Sequence, residues 1–357
     1  MSFSLKPDYD KSAERYAAFW NREIIDRPPV SIILPVEKPK LVPVKSYKTL
    51  REKWLDIEFR AEVTSIEMSN CNYYADALPI MFPNFGPEIF SVWSGCGYNF
   101  GETTTWSEPC IRDWSTDADK ATFNREHPLF KLLIDYTNRL LEYGKGNFIV
   151  GLTDFHPGGD HLAALRDPQE LAFDMYDNVD EVKAKLKSSL KEYFEAYDIF
   201  YNILHAAGMP STSWIKLIDD GKFYIPSNDF SCMISKPMFD DVFLPGLIEE
   251  CDFYDRSIYH LDGPGALKHL DSILGVKKLD AIQWVPGAGN GGFEDWIDVY
   301  KKIQAAGKCI ELHTVSVKTL PLVFEHLKPE GIWFSGIDGI NDKETADKVL
   351  KRITAWK

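Results

Sequence analysis

Short apolar runs that stop at polar or small residues, most of them followed by helical periodicity, recur along the chain and constrain its fold more than any other feature. They are Val30-Ser31-Ile32-Ile33-Leu34, Phe148-Ile149-Val150-Gly151, Ser257-Ile258-Tyr259-His260, Ala281-Ile282-Gln283-Trp284, Cys309-Ile310-Glu311-Leu312-His313 and Ile332-Trp333-Phe334-Ser335. Runs this short and this apolar suit strands of a parallel sheet covered on both faces. Helical spacing between Gly, Pro and capping residues is clearest at 9–22, 129–143, 179–207, 236–250, 293–306 and 342–356. Strand and helix alternating to the end predict parallel β/α units. The expected fold is therefore α/β, a single-domain (β/α)8 TIM barrel over residues 1–357 with an N-terminal helical segment. Two domains would be ordinary at 357 residues, but barrels reach this length as one, and no repeat, low-complexity tract or linker-like shift divides the chain. Residues 86–114, rich in Gly, Ser, Thr and aromatics, and residues 214–232 interrupt the alternation and are expected to lie over the barrel mouth.

Charge narrows the partners. With 54 acidic against 40 basic residues the formal charge is -14, which repels phosphate backbones and anionic lipid, so neither nucleic acid nor membrane is expected as a partner. Met1-Ser2-Phe3-Ser4-Leu5-Lys6-Pro7 has no apolar signal core, and no apolar run approaches the ~18 residues that a membrane span needs, so the expected location is the cytoplasm. The 6 cysteines are scattered without a CxxC pair and read as reduced core residues.

In a barrel the polar residues that close each strand face the substrate. Those residues here are Asp154 and His156, Asn228 and Asp229, His260 and Asp262, Gln283 and Trp284, Glu311 and His313, and Ser335 and Asp338. Local capping of the following helix is the simpler role for any single Asp or Asn among them. His260 and Asp262 stand out, because alternation along a strand puts both on one face, with Gly263-Pro264-Gly265 admitting a ligand close to the backbone. Such a pair can bind a metal, hold a proton-transfer histidine, or simply orient a buried imidazole. Asp154-Phe155-His156-Pro157-Gly158-Gly159 spells the D-x-H-x-x-G pattern of cobalamin ligation, but later Ser-x-Leu and Gly-Gly elements are missing, so His156 is read as a substrate or loop residue. Trp93, Tyr224, Trp284 and Trp333 are candidates to wall a pocket for a methylated, aromatic or ammonium group, Trp284 first among them.

Arg27-Pro28-Pro29-Val30, the Asp76 segment followed by residues 86–100, Phe148-Ile149-Val150-Gly151, Met233-Ile234-Ser235-Lys236-Pro237-Met238-Phe239 with Phe243-Leu244-Pro245, and residues 331–340 resemble, in order, the uroporphyrinogen decarboxylase-like superfamily. The resemblance covers most of the chain. It implies a (β/α)8 barrel, in a superfamily that also contains zinc-dependent methyltransferases working with corrinoid proteins. The decarboxylase's arginine pair after the first strand is missing from Ser31-Ile32-Ile33-Leu34-Pro35-Val36-Glu37-Lys38, which disfavours porphyrinogen decarboxylation. The methyltransferases' His-x-Cys is matched by His260 with Asp262, and their further Cys by Asp338. The resemblance thus implies a metal at His260, Asp262 and Asp338, zinc or, with these oxygen ligands, Mn or Fe.

The expected function is transfer of a methyl group between a small methylated substrate and a corrinoid carried by a separate protein, with metal assistance. His260, Asp262, His313 and Glu311 are the expected catalytic residues, and Asp76, Asp154, His156, Asn228, Asp229, Gln283 and Trp284 the expected substrate contacts. The alternative is a metal-free decarboxylase or lyase acting on a small carboxylate, with Asp76, Asp229 and His260 handling charge and protons. A homodimer is compatible with either.

Overall fold

Apolar runs pair into a sheet only where their backbones find partners on both sides, and the register shows which do. The computed structural model describes residues 3–356; Met1 and Ser2, within the N-terminal heptapeptide, and Lys357 lie outside the described residues. Strand β1 (Ser31–Pro35) runs antiparallel to β2 (Cys71–Ala75) as a two-stranded ribbon. The expectation of a buried parallel strand at 30–34 is therefore corrected: only Val30 makes a parallel bridge, to Phe334, while Ile32 and Leu34 point inward and Ile33 is 47% exposed. Beyond it come β3 (Ile80–Met81), the hairpin of β4 (Gly97–Phe100) with β5 (Thr105–Glu108), and β6 (Ile149–Val150), which lies parallel to β3.

The C-terminal half carries β7 (Phe223–Tyr224), β8 (Arg256–Asp262), β9 (Ala281–Val285), β10 (Cys309–Leu312), β11 (Val315–Ser316), β12 (Ile332–Phe334) and β13 (Ile337–Asp338). Five of these form one parallel sheet in the order β12-β10-β9-β8-β7, and β11 pairs with β13. The molecule is thus mixed α/β around a five-stranded parallel sheet. Further backbone bonds extend past its edge: Phe334 donates to Pro29, Asp76 to Val30, Ile149 to Pro79, Gly151 to Met81 and Leu152 to Thr212.

Helices follow their apolar stripes. In the helix Val179–Ala206, Val182, Leu186, Leu190, Tyr193, Tyr197, Phe200 and Leu204 are buried at spacings of three and four, which presents one face to the core. Pro128 and Pro168 open their helices behind His127 and Asp167, whose side chains accept the first free backbone N–H groups. The N-terminal helix Tyr9–Asn21 is tied down along the inner face of its C-terminal half: Tyr16 Oη donates to the Asp76 carbonyl at 2.8 Å and Trp20 Nε1 to that of Ile218 at 2.9 Å. Among the described residues no helix is long and apolar enough to cross a membrane.

One buried ion cluster clamps the N-terminal segments. Asp76, fully buried, accepts from Arg27, from Arg15 Nη1 at 2.9 Å and from the Val30 N–H at 2.9 Å. Deleting the carboxylate leaves Arg27, 9% exposed, as an unpaired buried charge. Asp76→Ala is expected to cost about 3–5 kcal/mol, read from the shift of the urea unfolding midpoint. A loss below about 1 kcal/mol, typical of an exposed pair, would contradict this structural role.

Candidate active site

Period-two alternation decides which residues of adjacent parallel strands meet. His260 of β8 is in register with Gln283 of β9, which is in register with Glu311 of β10. All three side chains fall on one face of the sheet. His260 Nδ1 donates to Gln283 Oε1 at 2.5 Å, and the Gln283 side chain faces Glu311 in the same row and favours its charged form. Accepting at its amide oxygen, Gln283 fixes the imidazole tautomer with the proton on Nδ1 and leaves Nε2 as a lone pair. The residues between them face the other way. Trp284, expected as a pocket wall, is fully buried behind the sheet, its ring 5.1 Å from that of Trp296. Trp93 and Tyr224 are likewise fully buried in the packed interior, whereas Trp333, 2% exposed, lines a small cavity beside Gln283 and Glu311.

Asp262 lies two residues beyond His260 on the same face, just before Gly263, whose φ of 74° favours glycine and whose missing side chain faces open space. The loop after β7 approaches from the neighbouring strand: Ser227 bridges His260, and the His260 N–H donates to the Pro226 carbonyl at 2.9 Å. It carries Asp229 over the strand end. One ligand atom each from Asp229, His260 and Asp262 lies within 4.8 Å of the others. Asp338, expected as the third ligand, sits exposed on β13 and is not part of this group. Burial and then the charge of Asp229 push the Asp262 carboxyl up, and the imidazole of His260 opposes them.

A cavity of about 600 Å³ opens above, lined by Asp154, His156, Asp160, Trp214, Asp229 and His260 among others. His156 and His260 flank Trp214, with ring centroids 6.2 and 5.1 Å from it. A second chamber of about 240 Å³ shares Trp214 as a wall and is lined by Lys216, Gln283, Glu311 and Ser335. The row of three side chains therefore passes from one chamber to the other. Asp154 and His156, expected substrate contacts, form an ion pair with Oδ1 to Nε2 at 2.8 Å. Asn228 is buried against the helix Gly158–Arg166, where a Cβ on Gly159 would sit 2.1 Å from its Oδ1. Asp76 is engaged in the ion cluster and lines neither chamber. His313 closes β10, with burial and then the charge of His260 pulling its imidazole down.

Three contributors were not singled out from sequence. Trp214 lies in an irregular segment with no periodicity to betray its direction. Asp160 sits in a helix first turn, where an acidic residue is ordinary. Glu250 lies on the helix Leu244–Phe253 behind the cavity, and only burial distinguishes it from its exposed neighbours.

Environment tunes these groups in one direction. Burial, with the charge of Asp229, lifts Asp160 to about 6. Burial lifts Glu311 to about 7 against its hydrogen bonds to Ser335 and Gln283, and lifts Glu250 to about 8. For His156 burial works against the charged form, but the bond to Asp154 and the charges of Asp154, Asp160 and Asp229 prevail and carry the imidazole to about 9. The native state thus holds these protons more tightly than the unfolded chain. The His156 contribution is complete below its ordinary 6.5 and is lost as pH rises through about 9. For the carboxyls the native state is penalised increasingly as pH rises towards their raised values. Buried His161, held neutral with its imidazole at about 3, acts in the opposite sense below its ordinary 6.5. Stability from urea midpoints should therefore fall between about pH 7 and 9, and Glu250→Gln and Asp154→Asn should each flatten that fall. A slope unchanged by both substitutions would contradict the assignment.

No protein-family model matches the chain, and no curated protein matches it in sequence. Among solved structures it is similar to a methyltransferase from Methanosarcina mazei, with a TM-score of 0.55 and 14% identity, covering 99% of this chain and 98% of that one. The two chains share their fold over almost their whole lengths.

Proposed function

We propose that the chain is a methyltransferase of the uroporphyrinogen decarboxylase-like superfamily, a (β/α)8 barrel that moves a methyl group between a small donor and a corrinoid on a separate protein. The observation that carries this reading is the convergence of Asp229, His260 and Asp262 at the end of a parallel strand, beneath a cavity large enough for a small substrate. Barrel closure is supported by the backbone bonds that continue from β12 through Val30, Asp76, Met81, Gly151 and Thr212. The methyltransferase from Methanosarcina mazei, matched end to end, supports the same class.

The three converging side chains fit a divalent metal. Two carboxylates and one imidazole give a formally neutral set for zinc, Mn or Fe, with Nε2 of His260 left free by the bond from Nδ1 to Gln283. A bound ion would supply Lewis acidity toward the heteroatom that loses its methyl group. Gln283, set beside Glu311 by the strand register, holds the imidazole orientation from behind. Asp154, His156 and Asn228 would orient the donor in the cavity. Transfer breaks the bond between heteroatom and methyl carbon, passes the methyl to the corrinoid's cobalt and leaves the electron pair on the heteroatom; protonated Glu311, poised at about 7, would supply the proton that quenches it, and neutral His313 could accept a proton in turn. The hairpin of β4 and β5, which brings Trp106 and Ser107 to the cavity rim, would meet the corrinoid protein there. A cytoplasmic location and a homodimer are both compatible with this reading.

A lyase acting on a small carboxylate is the weaker reading, since the cavity is lined by Glu88, Asp154, Asp160, Asp167 and Asp229 and by no Lys or Arg. Cob(I)alamin incubated with the metal-loaded protein and a panel of methylated amines and methoxy compounds should be converted to methylcobalamin, followed by its absorbance. His260→Ala should slow this by about a hundredfold or more, the scale of losing a ligand or an acid-base group. Asp338→Asn should leave both rate and metal content unchanged. Equal conversion by His260→Ala, or carbon dioxide release from carboxylates without methyl transfer, would overturn the proposal.

A further inference from the structure

Two cysteines meet at the base of the hairpin that reaches the cavity rim. Cys96 precedes β4 and Cys110 follows β5, so the antiparallel pairing of Gly97 with Glu108 carries them together from positions 14 residues apart. The Cys96 S–H donates to the Cys110 sulfur with Sγ to Sγ at 3.5 Å, which is van der Waals contact. That separation is only about 1.5 Å longer than a disulfide bond. The sulfurs of Cys71, Cys251 and Cys309 meet oxygen atoms instead. The pair is packed on the helix Gly158–Arg166: Cys96 Sγ lies 3.5 Å from the Ala164 carbonyl, and the Cys110 N–H donates to that of Leu165 at 2.9 Å.

Contact between two thiols becomes reactive when one sulfur is accessible and ionises readily. Cys110 is half-buried while Cys96 is 6% exposed, so an oxidant in solution reaches Cys110 first. The bond from the Cys96 S–H pulls the Cys110 thiol down, and the ammonium of buried Lys185 acts the same way against burial. The same bond, together with burial, pushes Cys96 up, which keeps its proton in place until Cys110 has reacted. An outer sulfur that ionises and an inner thiol touching it have the arrangement of dithiols in which one attacks and the other resolves.

We infer that Cys96 and Cys110 form a reversible dithiol–disulfide site that fastens the base of the β4–β5 hairpin when oxidised. With glutathione disulfide as oxidant, the Cys110 thiolate attacks one of its sulfurs, breaks its S–S bond and expels a glutathione thiolate. Cys96 then loses its proton and attacks Cys110 Sγ, which breaks the mixed disulfide and releases the second glutathione thiolate. Two protein thiols are oxidised, one glutathione disulfide is reduced, and the two protons end on the two glutathione thiols. The bridge joins the chain entering β4 to the chain leaving β5, whose Trp106, Ser107 and Pro109 line the larger cavity, so oxidation stiffens the cavity rim. The site is independent of the proposed methyl transfer.

The test equilibrates the full chain in buffers of reduced and oxidised glutathione, quenches in acid, alkylates the remaining thiols and maps the peptides by mass spectrometry. A link joining Cys96 to Cys110, lighter than the dithiol by two hydrogen atoms, should account for more than half of the protein in the most oxidising buffer and disappear in dithiothreitol. Cys96→Ser should leave Cys110 carrying glutathione, whereas Cys110→Ser should leave Cys96 a free thiol. Amide hydrogen exchange over residues 97–108 should slow by at least about tenfold in the bridged protein. Glutathione on exposed Cys232 with Cys96 and Cys110 both still free would show that the oxidant was active and overturn the inference. A bridge that forms only in urea would overturn it as well. Bridging with unchanged exchange would overturn the fastening of the hairpin.

Discussion

Register across three parallel strands is the constraint on which the candidate site depends. Because β8, β9 and β10 hydrogen-bond side by side, His260, Gln283 and Glu311 are brought abreast without any loop having to place them. Each strand contributes one polar residue to the row, and the flanking apolar residues turn outward to the helices. A one-residue slip of β9 would exchange Gln283 for Trp284 or Ile282 and leave His260 without its partner. The sheet's backbone bonds therefore set the tautomer of one imidazole.

Electrostatics gives the row its chemistry. Glu311 is buried and tends to keep its proton, while Gln283 can donate to a carboxylate on one side and accept from an imidazole on the other. In front of the row, Asp229 and Asp262 crowd two negative charges against His260 Nε2, an arrangement that a cation would relieve. On the cavity wall the Asp154–His156 pair, and behind it Glu250, hold further protons. These groups are costly to bury, and their concentration around one cavity marks where the protein sacrifices stability for a site.

Much of this was legible in the amino-acid pattern, and the exceptions have physical reasons. His260 and Asp262 could be placed together because strand alternation is a local rule, and the strands at 257–260, 281–284 and 309–313 could be read from their apolar runs. The same rule also separates Gln283 from Trp284, but without the sheet's orientation it does not say which of them faces the cavity. Asp229 replaced Asp338 in the converging group because loop paths, unlike strands, carry no periodicity from which proximity can be deduced. Asp76 shows the ambiguity of a lone acidic residue: its partners Arg15 and Arg27 are more than 45 residues away in sequence and make it a clamp. The segment at 31–35 reads as a buried strand by composition, yet its partner is the antiparallel β2 and its middle isoleucine faces outward. Trp214, which divides the two chambers, left no sequence signal.

The central claim is that the end of β8 gathers a metal-binding group from Asp229, His260 and Asp262. Anomalous diffraction from crystals soaked in Mn(II), recorded on the wild type, tests it without reference to substrate or corrinoid. The account predicts one strong peak within coordination distance, about 2.0–2.3 Å, of these three side chains. A peak at Asp338 instead, or no peak near His260 at saturating metal, would contradict it.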